Sequence, residues 1–136
     1  MKKITGLLID VNTGKASFKT VDKSLESYYK ILDCSTIDIV NRRVGGDANM
    51  RFDIICDDEA LLVSPAIPSA LSGIDFNYCM YGNLFVVGHD PGSEDVRSLT
   101  KEEMKYLRNY HTLFFVPSRT NAGTFHVNGL TRVYEF

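Results

Sequence analysis

Hydrophobic and polar residues along this chain change period several times, and each change predicts an element. From Lys3 to Val11 the apolar residues Leu7, Ile9 and Val11 alternate, and strand character resumes over Ala16–Val21 beyond Asn12-Thr13-Gly14. Alternation puts one set of side chains on each face of a strand, and turn residues between two such runs predict an antiparallel hairpin. The period then lengthens. Leu25, Tyr28, Tyr29 and Leu32 follow i, i+3, i+4, i+7 spacing, which lays an apolar stripe along a helix of about two turns that covers a sheet face. Asp22 or Ser24 is placed to cap it.

Thr36–Val44 alternates weakly, with Ile37 and Ile39 on one face. Phe52, Ile54 and Cys56 alternate beyond Gly45-Gly46-Asp47-Ala48-Asn49, which predicts a second hairpin. Pro65, Pro68, Ser69, Ser72 and Gly73 then break the pattern into an irregular excursion, with room for one short helix near Ser69–Leu71. Asp75–Val87 is the densest apolar stretch. Its Leu84-Phe85-Val86-Val87 core is continuous, not alternating, as in a central strand covered on both faces.

In Leu99-Thr100-Lys101-Glu102-Glu103-Met104, Thr100 and Glu103 form a capping box, and Leu99 and Met104 occupy the two staple positions, so a helix is expected over residues 101–110. Met104, Leu107 and His111 share one stripe of it, and Lys101, Lys105 and Arg108 another. Strand character returns at Leu113–Val116, Thr124–Val127 and Leu130–Phe136, and Asn128-Gly129 between the last two predicts a terminal hairpin. The order of elements reads as α+β, a single domain over residues 1–136 built on a mostly antiparallel sheet with two helices and a C-terminal β-hairpin.

Composition narrows the setting. A chain of 136 residues with 44 % hydrophobic and 24 % charged residues can bury a core without disulfides or metal. No apolar run approaches the ~20 residues of a bilayer span, and Thr5, Gly6 and Asp10 interrupt any signal-peptide core after the basic Met1-Lys2-Lys3. Cys34, Cys56 and Cys79 are widely spaced and contain no CxxC pair, so a cytoplasmic location is expected, with no membrane partner. A net charge of −2 provides no global attraction to phosphate, and nucleic acid is not an expected partner.

Four motifs stand out: Val44-Gly45-Gly46, Phe52-Asp53-Ile54-Ile55-Cys56-Asp57-Asp58-Glu59, Gly82-Asn83-Leu84-Phe85-Val86-Val87-Gly88 and Ser98-Leu99-Thr100-Lys101-Glu102-Glu103. In these the chain resembles a family known as domain of unknown function 3846, found largely in phages, plasmids and integrated elements of bacteria. The similarity spans Ile4–Tyr110 and leaves 111–136 as a strand or hairpin extension. It departs from the pattern at Ala60, where a glycine often follows the acids, and at Ser64-Pro65-Ala66-Ile67-Pro68. The family has no established catalytic residues to transfer. The resemblance implies a small cytoplasmic protein encoded by mobile DNA, of a kind that binds and inhibits host machinery such as a defence component.

Candidate chemistry is sparse. Asp57, Asp58 and Glu59 follow a strand, but adjacent residues on an extended chain point apart and three in a row cannot all face one ion, so capping or solvation is expected and no metal. His89-Asp90 with Ser93 or Ser98 lacks a nucleophile elbow such as GxSxG, and a His and Asp adjacent in sequence seldom share the needed hydrogen bond. Lys101, Lys105 and Arg108 read as a solvated helix face, and Tyr28, Tyr29, Phe76, Tyr78, Tyr81 and Phe85 as core.

The expected binding surface is the hairpin tip, where Arg42, Arg43 and Arg51 flank Gly45 and Gly46, whose exposed amides can approach a phosphate or a partner's acids. Phe114, Phe115, Phe125, Tyr134 and Phe136 need burial, which a terminal hairpin docked on a second copy would supply as a homo-oligomer. The resulting expectation is a non-enzymatic protein of mobile-element origin, without catalytic residues or cofactor, that binds a host protein through the arginine hairpin. The alternatives are a nucleotide-type small-ligand binding oligomer and a metal-dependent enzyme using Asp57, Asp58 or His89.

Overall fold

The computed structural model describes residues 2–13, 15–43, 51–60, 62, 68–72, 78–93, 95–109, 119–120 and 124–125. Ten strands and two helices are defined among them. They are β1 (Lys3–Asp10), β2 (Lys15–Asp22), α1 (Leu25–Leu32), β3 (Ile37–Arg43), β4 (Arg51–Asp57), β5 (Pro68–Ser72), β6 (Tyr78–Tyr81), β7 (Leu84–His89), β8 (Val96–Arg97), α2 (Lys101–Asn109), β9 (Arg119–Thr120) and β10 (Thr124–Phe125). The main sheet runs β2-β1-β7-β4-β3, with β8 added to β7, and every pair in it is antiparallel. The α+β expectation holds.

β7 is the centre, as its unbroken apolar run requires. Leu84, Phe85, Val86 and Val87 are all fully buried, because alternate residues go to two different cores. Leu7, Ile9, Phe52, Ile54, Leu84 and Val86 pack on one face under Leu99 and Leu107 from the α2 region. Ile4, Ile55, Phe85 and Val87 pack on the other under Tyr28 and Leu32 of α1. One helix thus covers each face. This is why β4 is buried at four consecutive positions, Phe52 to Ile55, where sequence alternation alone suggested one apolar face.

The helix starts follow their chemistry. Ser24 caps α1, its Oγ accepting from Ser27 N–H at 3.3 Å. At α2 the capping box forms as read: Glu103 N–H donates to Thr100 Oγ1 at 3.1 Å, and Thr100 N–H donates to Glu103 Oε1 at 2.9 Å. Leu99 is buried and Met104 packs against the same core. On α1 only Tyr28 and Leu32 are fully buried. Leu25 is 57 % exposed, because the first turn stands over a surface groove and not over the sheet.

One expectation changes between β4 and β7. Ser69–Leu71 lies in a strand, not a short helix: β5 pairs with β6 in a two-stranded sheet with an irregularity between Pro68 and Ala70. A segment this short cannot offset helix nucleation, whereas pairing satisfies its backbone at once. The Leu84–Val87 run lies in β7 as expected, and a separate strand, β6, precedes it. Gly82, at φ +74°, turns the chain between β6 and β7 in a conformation open to glycine, and Asn83 Oδ1 accepts from Val11 N–H at 3.0 Å, tying the bend to the end of β1.

β1 pairs with β7 over Leu84–Val86, and β8 replaces it at Gly88 and His89. Thr5 N–H donates to Ser98 Oγ and Leu99 N–H donates to Thr5 O, both at 2.9 Å, so the segment entering α2 is pinned to β1. At the C-terminus β9 and β10 form a short antiparallel hairpin. The strand expected at Leu113–Val116 and the Asn128-Gly129 turn lie outside the described residues, as do Phe114, Phe115, Tyr134 and Phe136.

Candidate functional site

The hairpin of β3 and β4 lies at one edge of the sheet, and its register sets what can meet there. Asn41 is opposite Asp53, Arg42 opposite Phe52, and Arg43 opposite Arg51. On the other side of β4, Phe52 is opposite Gly88 and Asp53 opposite Val87. His89 therefore stands two residues beyond Val87, the register partner of Asp53, at the diagonal position from which long side chains of adjacent strands can touch.

They do touch. Asp53 is only 7 % exposed and is the one buried charged residue among those described. Its Oδ1 lies 3.1 Å from His89 Nδ1 and accepts from Asn41 Nδ2 at 3.1 Å, while Asn41 Nδ2 also reaches Phe52 O at 3.2 Å. An ionised carboxylate only accepts, so this geometry places a proton on Nδ1 and leaves Nε2 as the ring's other functional nitrogen. The His89 side chain is 28 % exposed, and Arg51 is exposed at the same end of β4. A carboxylate inside an otherwise apolar sheet stabilises little by itself. What it does here is fix the orientation of a surface imidazole.

Sequence reading set His89 beside Asp90 and left Asp53 within a strand. The chain uses them differently. Asp90 closes the following turn, its Oδ1 accepting from Gly92 N–H at 3.0 Å, and the acid that orients the ring is 36 residues away. Ser93 and Ser98, weighed as nucleophiles, have their Oγ atoms engaged by backbone N–H groups of Asp95 and Thr5. The sequence carried only part of the signal: Asp53 is a lone acid between Phe52 and Ile54, and its partners follow from the register of β3, β4 and β7.

Asp57 sits at the far end of β4, opposite Ile37, about 13 Å along the strand from Asp53. Its Oδ1 accepts from Glu59 N–H at 2.9 Å, so the acidic run starts a turn. Among the described residues no group of three His, Cys, Asp or Glu side chains is placed to hold a metal ion. Nor does any helix among them have the length and apolarity to cross a membrane.

The three arginines do not share one rung. Arg43 and Arg51 are partners in the last described rung, whereas Arg42 is opposite the buried Phe52, half a strand period out of phase. Gly45 and Gly46 lie outside the described residues. On α2, Arg108 lies over the Phe18 ring at 5.4 Å, adding an aromatic to the stripe of Lys101 and Lys105 that the sequence had not associated with it.

A second clamp stands beside the site. Arg97 Nη1 and Nη2 donate to Glu103 Oε1 and Oε2 at 2.7 and 3.1 Å, and Nη1 also donates to Ser98 O at 3.0 Å. The guanidinium lies directly on Gly88, where an added Cβ would come within 2.2 Å of Nη1. The Glu103 carboxylate raises the Arg97 pKa against its burial. For Glu103, burial pushes the carboxyl up, but the Arg97 guanidinium and the Thr100 N–H together hold it below its ordinary value.

The motifs of the chain thus have assigned physical tasks. Gly82 and Asn83 make the bend, Gly88 admits Arg97, and Thr100 with Glu103 starts α2. In comparisons with known proteins, residues 3–113 match the profile of a family described as Domain of unknown function (DUF3846). No curated protein and no solved structure matches the chain. The match covers most of the sequence and every element from β1 through α2, and the chain belongs to the DUF3846 family.

Proposed function

We propose that this protein is a non-enzymatic binding module of phage or plasmid origin that acts in the cytoplasm by occupying an acidic surface of a host protein, such as a defence component. The observation that carries the reading is the rung of Arg43 and Arg51 at the outer end of the β3–β4 hairpin. Two arginines are register partners on adjacent strands, one of them the edge strand β3, and arginine is the side chain best suited to bidentate contact with carboxylates and is enriched at binding hot spots. His89, oriented by the buried Asp53, adds a third nitrogen group beside Arg51. A rigid two-helix-covered sheet beneath this end limits the ordering that binding requires.

Affinity capture from lysate of the bacterial host, followed by identification of retained proteins, tests the reading. Wild-type protein should retain a defined partner, and the double variant Arg43→Glu, Arg51→Glu should lose it, since reversed charge both removes the attraction and adds repulsion. Retention of the same partner by the reversed variant, at unchanged affinity in a titration, refutes this surface as the contact.

A further inference from the structure

Among the described residues the main sheet ends in two edge strands, β2 and β3, and the two are not alike. β2 exposes Lys15 and Lys19, and lysine on an edge strand discourages pairing with another chain. β3 has no lysine, no proline and no bulge, and its register with β4 is unbroken from Ile37 to Arg43. Asp38 and Ile39 are exposed, Ile39 at 45 %. A regular edge of this length with an exposed apolar side chain is a template for one more strand.

The ladder shows which backbone groups of β3 are free to pair. Asp58 N–H donates to Thr36 O at 3.3 Å, one rung beyond Ile37 and Asp57. Bonded and non-bonded pairs alternate along an antiparallel ladder, so Thr36, Asp38, Val40 and Arg42 turn their backbone groups toward β4. Ile37, Ile39, Asn41 and Arg43 turn theirs outward. In keeping with this, Ile39 N–H donates to the side chain of its own neighbour, Asp38 Oδ1, at 2.9 Å.

The residues of β3, Ile37-Asp38-Ile39-Val40-Asn41-Arg42-Arg43, then select their own partner. Laid antiparallel on a second β3 about a two-fold axis at Val40, the whole strand pairs: Ile37 with Arg43, Asp38 with Arg42, Ile39 with Asn41, and Val40 with itself. Outward-facing residues meet outward-facing residues, which makes about eight backbone hydrogen bonds, two for each such pair. Asp38 meets Arg42 at the non-bonded rungs, where side chains come closest and opposite charges stabilise the pairing. Other registers that keep the outward groups opposed do worse. An axis at Ile39 or Asn41 sets Asp38 and Arg42 against uncharged residues, and an axis at Asp38 or Arg42 sets like charges together.

We infer that two copies of this chain join edge to edge through β3, forming an isologous dimer with one continuous antiparallel sheet. Ile39 then lies diagonal to Ile39 of the second copy, which covers its exposed side chain. Neither host-protein binding nor the terminal hairpin is needed for this contact.

Sedimentation velocity of the full chain over a concentration series should show a reversible equilibrium between monomer and dimer. Asp38→Arg and Arg42→Asp should each weaken it by about tenfold or more, because symmetry replaces two opposite-charge pairs by two like-charge pairs. The exchanged variant, Asp38→Arg with Arg42→Asp, keeps the register complementary and should recover wild-type association. That recovery separates lost pairing from lost folding, since a strand that could not fold would not regain it. Hydrogen exchange at the Ile39 and Asn41 amides should slow as the dimer forms. A chain that stays monomeric throughout, single reversals that leave the equilibrium unchanged, an exchanged variant that fails to recover it, or unslowed exchange at both amides overturns the inference.

Discussion

The Asn41, Asp53 and His89 cluster yields a prediction whose sign depends on how it is perturbed. Replacing His89 by Val leaves the Asp53 carboxylate, 7 % exposed, with Asn41 Nδ2 as its remaining side-chain donor. A buried group stripped of one hydrogen bond costs about 1–3 kcal/mol, or on the order of 4 °C in Tm per kcal/mol for a chain of this size. Removing the whole cluster is a different experiment. In Asn41→Val, Asp53→Val, His89→Val no carboxylate remains to be desolvated, and the new side chains extend the core that already holds Val87 and Ile55. Apolar replacement of a complete buried polar set is commonly neutral or stabilising. The triple variant should therefore equal or exceed wild type while the single variant falls below it. Urea unfolding followed by far-ultraviolet circular dichroism measures both, since the chain has no tryptophan to report by fluorescence. A double-mutant cycle on Asp53 and His89 should show a coupling of roughly 0.5–3 kcal/mol. Coupling indistinguishable from zero, or a triple variant less stable than the single one, refutes the account. The expected result would also mean that the cluster is kept at some cost to stability, as a recognition group would be.

Other predictions concern the rest of the sheet and its tail. Gly88→Ala places a methyl against the Arg97 guanidinium and should destabilise by about 1–3 kcal/mol, in line with overpacking; an Arg97→Ala background, where that space is vacant, should recover much of the loss in the same unfolding assay. Glu103 has a folded pKa below its ordinary value, so the stability it contributes is fully present above the unfolded pKa and is lost as pH falls through the folded one. A Tm series across the acid range should fall less steeply below pH 4.5 for Glu103→Gln than for wild type, and parallel curves would show that the Arg97 pair carries no such linkage. Self-association through the tail predicts that deleting Thr124–Phe136 lowers the mass seen by light scattering. Equal masses for the two proteins would remove the terminal hairpin as a dimer contact.

Much of this architecture is local chemistry and was readable in order along the chain. The Thr100 and Glu103 capping box started α2 where its four-residue pattern said it would, because both partners lie within one helical turn. The unbroken Leu84–Val87 run announced a strand covered on both faces, since only a central strand hides consecutive apolar side chains. Hairpin arms and their alternation likewise depend on neighbours close in sequence. Tertiary structure decided the contacts that depend on register between distant strands. Asp53 meets His89 only because β4 and β7 are adjacent with Phe52 opposite Gly88, and Arg97 rests on Gly88 only because β8 joins β7 where β1 leaves it. The same holds for Tyr28 and Ile39, which come to one groove from a helix and an edge strand. A sequence shows which side chains share a face of their own element, but strand order and rung alignment, set by the free energy of the whole packed sheet, determine which faces come together.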